Sequence, residues 1–248
     1  MKAMQVIPPL PKEDFSKSKP CIVMDFENTI SKNDVLMDLY CISPGKALKA
    51  TIVGIKNTAI DILRSRSYRN FKYIATFNIK QAYCKDLSSQ ERRELGSRIY
   101  QIDRRNSLEV LFHVIDSDDF LLSILTSCHE DIARGYLESF NPKGSAVKKL
   151  YNYNIVGSNG SRMIWKKEKE DFVRKLKEQG KRVICVGDSE VDAGMLNIAD
   201  YSFVVRNSLL SNLLFGAYKA RGYRVDLPSL KMWFDNIKYR EKGIIGLI

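Results

Sequence analysis

The sequence predicts an α/β fold: a parallel sheet flanked by helices, with a mainly α-helical block inserted after the first strand. Three observations predict it. Two apolar runs, CIVMD at 21–25 and VICVGD at 183–188, each end in an acid, which suits buried parallel strands with a ligand site at their C-terminal ends. From about residue 118 onward, strand-like runs alternate with helix-like ones. Between Asp34 and about Asp116, apolar residues recur instead mostly at three- and four-residue spacing.

The lead-in at 1–19 is rich in Pro and Lys and is expected to be irregular. CIVMD is the first strand. VLMDLYCI, GKALKATIVGIKNTAIDILRS, NFKYIATFNIKQAYCKDL and SSQERRELGSRIYQID read as four helices. The last opens with Ser-Ser followed by Gln-Glu, a capping signature. NSLEVLFHVID reads as a fifth helix, and DFLLSILTS as a strand closing in Thr126 and Ser127. The helix HEDIARGYLESF follows, then VKKLYNYNIVGSNGSRMIW, where Ser-Asn-Gly-Ser between two β-prone runs signals a hairpin. KEKEDFVRKLKEQG is an amphipathic helix ended by Gly180. KRVICVGDSEVD is a strand running into acids, followed by the helix AGMLNIAD and the strand YSFVV. The expected division is therefore a core at 1–33 and 116–248 with a helical insertion at 34–115. Insertions of this kind often close over active sites.

A chain of 248 residues can bury one large core or two modest ones. Its 40 Lys+Arg against 29 Asp+Glu give a formal charge of +11, a field that favours anionic partners such as phosphorylated metabolites or nucleic acid. No aromatic residues interleave with a basic cluster in an RNA-binding pattern, so nucleic acid is the weaker option, left open by the charge alone. The cysteines (Cys21, Cys41, Cys84, Cys128, Cys185) are odd in number and scattered, with no CxxC pair. That predicts reduced thiols and a cytoplasmic location, and speaks against a zinc site. The two histidines, His113 and His129, suit structural roles. No stretch approaches the roughly 20 apolar residues of a membrane span, and the N-terminus lacks a signal-peptide apolar region, so no membrane partner is expected. Nothing in the pattern fixes an oligomeric state.

Four groups fall at strand ends or beside them: Asp25-x-Glu27-x-Thr29, Thr126-Ser127, a lysine in KKEKE, and Gly187-Asp188 with Asp192. Each has a plain structural alternative. Asp25 could begin a turn, Thr126 and Ser127 could cap the next helix, the lysines could line a solvated face, and Gly187 could serve a turn. Together they compose a site for phosphoryl transfer to water. Asp25 and Asp188, from adjacent parallel strands, would offer oxygens to a hard cation, and Mg²⁺ prefers one or two carboxylates plus substrate phosphate and water. A carboxylate can also be the nucleophile, forming an aspartyl phosphate. Its attack on an anionic phosphoryl group needs the charge neutralised, which Mg²⁺, a lysine, a hydroxyl and backbone N–H groups can do.

This order of residues resembles the haloacid dehalogenase superfamily of phosphohydrolases. DFENT looks like its first motif, DxDxT; LLSILTS like its second, a strand ending in Thr or Ser; a lysine at the start of KEDFVRKL like its third; and GDSEVDAGML like its fourth, GDxxxD. The helical insertion, the hairpin and DFENTISKND are similar to the phosphoserine-phosphatase-like branch, which includes phosphoserine phosphatases and a methionine-salvage phosphatase. The resemblance implies a Rossmann-like core with a helical cap and a Mg²⁺-dependent phosphatase of a small phosphorylated substrate. It implies Asp25 as nucleophile and Mg²⁺ ligand and Asp188 as the second carboxylate ligand. Asp192 would belong to the metal site, orienting the metal's waters or the lysine. Position 27 would lend its main-chain carbonyl to the metal and its side chain as general acid, then base. Asp34, nine places after the nucleophile, and Thr29 would lie near the substrate.

Here the sequence departs from the family. Glu27 stands where its phosphatases carry Asp, one methylene longer, which leaves open full activity or a weakened protein that binds phosphate ligands or nucleic acid. Two choices also stay open. Thr126 leads as the phosphate hydroxyl because it ends the apolar run, with Ser127 second because SCHEDIA resembles SGGFDIA in register. Lys169 leads as the phosphate lysine, followed by Lys167 and Lys166.

Overall fold

A computed structural model of the chain describes residues 19–65, 71–103, 120–139, 154–159, 163–205, 223–225 and 227–241. Among these residues six strands form one sheet: β1 (Cys21–Asp25), β2 (Leu121–His129), β3 (Asn154–Ser158), β4 (Val183–Gly187), β5 (Tyr201–Val205) and β6 (Tyr223–Val225). Their order is β3-β2-β1-β4-β5-β6, and every pairing is parallel. From β1 the chain steps outward to β2 and β3, then returns to the other side of β1 for β4. The switch point therefore lies between the C-terminal ends of β1 and β4, where open parallel sheets bind ligands.

The alternation of side chains explains why β1 and β4 are apolar up to their last residues, Asp25 and Gly187. Ile22, Met24, Ile184 and Val186 enter the larger core, and Cys21, Val23, Val183 and Cys185 the smaller one on the opposite face. Strands buried on both faces read as continuous apolar runs.

Among the described residues, four of the expected helices lie between β1 and β2: α1 (Val35–Ile42), α2 (Pro44–Ser65), α3 (Phe71–Cys84) and α4 (Ser89–Asp103). Helix α5 (Glu130–Ser139) follows β2, α6 (Lys166–Glu178) precedes β4, and α7 (Ala193–Ile198) precedes β5. Helix α2 packs on α3, whereas α4 packs on α5 of the sheet's own layer. Glycines make the second contact close: a Cβ on Gly96 would stand 2.1 Å from the Ile132 carbonyl oxygen, and one on Gly135 2.0 Å from that of Arg93.

The turn of the hairpin expected around Ser-Asn-Gly-Ser, residues 160–162, lies outside the described residues. Asn154–Ser158 forms the edge strand β3, paired in parallel with β2, and residues 163–165 are irregular. Among the described residues its apolar run pairs with β2 at the edge of the sheet. Strand β2 also extends past Ser127 to His129, with a register irregularity between Thr126 and His129. Bulges of this kind re-aim side chains next to sites. The fifth helix expected at 106–116 and residues 1–18 of the lead-in lie outside the described residues. Two elements were not anticipated, β6 and the helix α8 (Leu227–Glu241), whose Leu230, Trp233, Phe234 and Ile237 are buried at helical spacing. No helix among the described residues is long and apolar enough to cross a membrane.

Candidate active site

Asp25 ends β1, and Asp188 directly follows β4. With Asp192 they form a buried group of carboxylates whose oxygens lie within 4.8 Å of one another. Gly187 makes room for this, since a Cβ there would stand 2.7 Å from the Asp192 carboxyl carbon. Asp192 is held by the turn it closes: its Oδ2 accepts from the backbone N–H of Asp188 and of Ser189, each at 3.1 Å, and from the Ser189 hydroxyl at 3.0 Å. Its Oδ1 faces Lys169.

Lys169 projects from the first turns of α6 toward the sheet and is 2% exposed. Its Nζ donates to Asp25 Oδ1 at 2.5 Å and to Asp192 Oδ1 at 2.7 Å. Of the three candidate lysines it is the one carried into the carboxylate group. Lys167 instead lines a cleft of about 390 Å³ along α6, among Leu125, Val156 and Phe172. Lys166 is exposed.

A second ionic cluster adjoins the first. Glu27 Oε1 accepts from the Val35 N–H at 3.2 Å and from the Lys80 ammonium, and Glu27 Oε2 accepts from the Ser127 hydroxyl. Lys80 Nζ also lies 2.9 Å from Asp34 Oδ1. Asp34 in turn caps α1, accepting from the Leu36 N–H at 2.9 Å. The structure thus brings Ser127 to the acids of the β1 loop and turns Thr126 inward, fully buried, where its hydroxyl accepts from the Cys128 N–H at 3.1 Å. Thr29 is fully buried in the turn after β1, in which Asn28 adopts a positive φ of 58°.

Lys80 was missed in the sequence, although a signal was there. It lies three and four residues before Tyr83 and Cys84, both buried, and so shares the inward face of α3.

The electrostatics follow from this crowding. Burial, then the Asp192 charge, raises Asp25 from 3.8 to about 8 against the pull of Lys169. Burial and the charges of Asp192 and Asp25 push Asp188 well above the usual carboxylate range. Burial also raises Glu27, while Lys80 pulls it down. Burial would raise Asp34 too, but Lys80 and the Leu36 N–H outweigh it and hold it low. Burial opposes the charge on Lys169, yet Asp192 and Asp25 raise its pKa. When all three are ionised, the buried carboxylates outnumber the one ammonium, which is why burial and mutual repulsion raise Asp25 and Asp188. Hard oxygen donors with uncompensated charge suit a divalent cation such as Mg²⁺.

The chain has the haloacid-dehalogenase-type fold, a Rossmann-like parallel sheet with the site at its switch point. No protein-family model matches the sequence, and no curated protein matches it either. The similarity lies in solved structures. One is a phospho-aspartyl intermediate analogue of phosphoserine phosphatase: 14% identity over 87% of this chain and 99% of that one, TM-score 0.52. A second is a predicted phosphatase from Clostridium acetobutylicum: 14% identity, 88% of this chain and 99% of that one, TM-score 0.54. A third is cytosolic 5'-nucleotidase IIIB bound to cytidine: 11% identity, 90% of this chain and 88% of that one, TM-score 0.58. At these identities the likeness establishes the fold.

Proposed function

We propose that the protein is a Mg²⁺-dependent hydrolase of a small phosphorylated compound, working through a phosphoryl group carried on Asp25. The observation that supports this most is the convergence of Asp25, Asp188, Asp192 and Lys169 at the switch point of the sheet. Asp25 and Asp188 would hold the cation, with the main-chain carbonyl of residue 27 as a further donor. Asp192 is engaged with Lys169 and its own turn. When bound, Mg²⁺ neutralises charge on the phosphoryl oxygens.

Asp25 attacks phosphorus as the nucleophile, and Lys169 fixes the attacking carboxylate and offsets the negative charge gathering beside it. Ser127, rather than Thr126, is the hydroxyl at the mouth of the site. The cap role falls to the α2–α3 pair, because α3 delivers Lys80 onto the β1 loop while α4 stays packed on α5. All five cysteines are unpaired, which fits a reducing compartment such as the cytoplasm.

The test is release of inorganic phosphate from a panel of phosphorylated compounds, with and without Mg²⁺, with Asp25→Asn as control. Release that needs both Mg²⁺ and Asp25 is expected. The formal charge of +11 and Glu27 favour a second reading, a protein that binds phosphate ligands or nucleic acid without turnover. Binding with no release across the panel would favour it.

A further inference from the structure

Helix α2 buries small side chains and exposes large apolar ones. Spacing of three and four residues puts Ala47, Ala50, Gly54, Thr58 and Ile62 on its buried face. Four of the five are small, and they let α3 come close: a Cβ on Gly54 would stand 2.6 Å from the Ile79 backbone nitrogen. Elsewhere on the helix Leu48, Ile52 and Leu63 are 57%, 64% and 74% exposed, with Ile55 and Ala59 exposed between them. Their successive spacing of four, three, four and four residues keeps all five within roughly 80° of one face. Single exposed apolar residues are ordinary, but a contiguous row of them marks an interaction surface. Phe71, which opens α3 after the link from α2, is exposed as well.

Charge identifies what covers the row. Lys49 and Lys56, both exposed, follow Leu48 and Ile55 along one flank of it. Residues 44–72 hold seven Lys and Arg and one acid, Asp61. That acid is engaged by α3, its Oδ2 accepting from the Asn78 amide at 2.9 Å. A second copy of the chain would set basic flank against basic flank. An acidic helix would account for the row on α2 but not for Phe71 on the next helix. A flat apolar layer behind negative headgroups takes both, with the lysine stems lying along it and their ammonium groups among the phosphates.

We propose that the exposed face of α2 docks the α2–α3 lobe onto an anionic membrane surface, with Leu48, Ile52, Ile55 and Leu63 at the boundary between headgroups and acyl chains. The cytoplasmic leaflet carries that charge. The inference stands apart from the phosphatase reading and holds whichever compound the site accepts. A helix lying on a bilayer needs neither a span nor a signal region, the two features whose absence from the sequence spoke against a membrane partner.

The test is co-sedimentation of the full-length protein with vesicles of phosphatidylcholine alone and of phosphatidylcholine with about 30% phosphatidylserine, at low and at high salt. Binding to the anionic vesicles is expected, roughly tenfold or more above the neutral ones and weaker as salt rises. Ile52→Ser with Ile55→Ser removes apolar groups, and Lys49→Gln with Lys56→Gln removes charge. Each pair should weaken binding roughly tenfold or more. Met232→Ser, at an exposed methionine on α8, should leave it unchanged. Circular dichroism confirms that each variant is folded, and should one pair not fold, the other decides. Equal binding to neutral vesicles, or no binding to either kind, overturns the proposal. So does an equal loss in Met232→Ser, or anionic binding that the folded pairs retain in full, since the charge of the whole chain would then account for it. A dimer in lipid-free buffer that Ile52→Ser with Ile55→Ser dissociates assigns the row to a second copy and overturns it as well.

Discussion

Lys169 stands between two carboxylates inside the protein, almost wholly buried. Breaking a buried pair by removing one partner typically costs about 3–5 kcal/mol, because the charges left behind are unpaired. Lys169→Met should therefore lower stability by several kcal/mol in urea unfolding as well as abolish turnover; unchanged stability would mean that the ammonium does not hold the two acids. Asp188 is the opposite case, a carboxylate raised by its own burial and then by the charges of Asp192 and Asp25. Removing it relieves repulsion, so Asp188→Ala should fold at least as well as wild type. It should need far more Mg²⁺ for activity and lose the rise in Tm that a bound cation confers by binding only the native state. A Tm that climbs with Mg²⁺ as in wild type would take Asp188 out of the metal site.

Among the elements, the join between the β1 loop and α1 and α4 is set by a carboxyl pair. Asp103, the last residue of α4, accepts at Oδ2 from the backbone N–H of Lys32 at 2.8 Å and of Asn33 at 3.1 Å. It thereby fixes the loop that ends in Asp34. Asp38 of α1 accepts from the Asn33 amide at 3.2 Å, and burial, then the Asp103 charge, raises it from 3.8 to about 7. An acid raised on folding contributes stability that is complete below its unfolded value. That contribution is lost as pH climbs through the folded one, here between about 4 and about 7. Asp38→Asn keeps an oxygen for Asn33 and carries no charge. It should raise Tm over wild type by several degrees at pH 8 and by less at pH 5, and an equal shift at both would contradict the carboxyl pair. The α4–α5 contact predicts a loss instead. Gly135→Ala drives a methyl to 2.0 Å from the Arg93 carbonyl oxygen and should cost about 1–3 kcal/mol or more, read as a lower urea midpoint with unchanged m-value.

On the scale of the whole molecule, the fold was legible where local pattern and burial agree. Continuous apolar runs gave β1 and β4 because both faces of those strands are covered, and three- and four-residue spacing gave α1 to α4. The parallel partner of β3 was not legible, since an apolar run reads the same whether its partner is local or distant. Asp25, Asp188 and Asp192 were legible because each lies at or just beyond the end of a strand, whereas Lys169, on α6, led its neighbours only through the family resemblance. The Lys80–Glu27–Ser127 cluster was not, because it joins residues 53 and 100 positions apart, a pairing that no spacing encodes. The central claim, that the assembled site passes a phosphoryl group through Asp25, is tested most directly by mass spectrometry. Protein incubated with Mg²⁺ and acetyl phosphate would be quenched in acid and digested. The account predicts one phosphoryl group on the peptide containing Asp25, sensitive to hydroxylamine as an acyl phosphate must be and absent from Asp25→Asn. Phosphate release from the wild type with no such adduct, or continuing in folded Asp25→Asn, would contradict it.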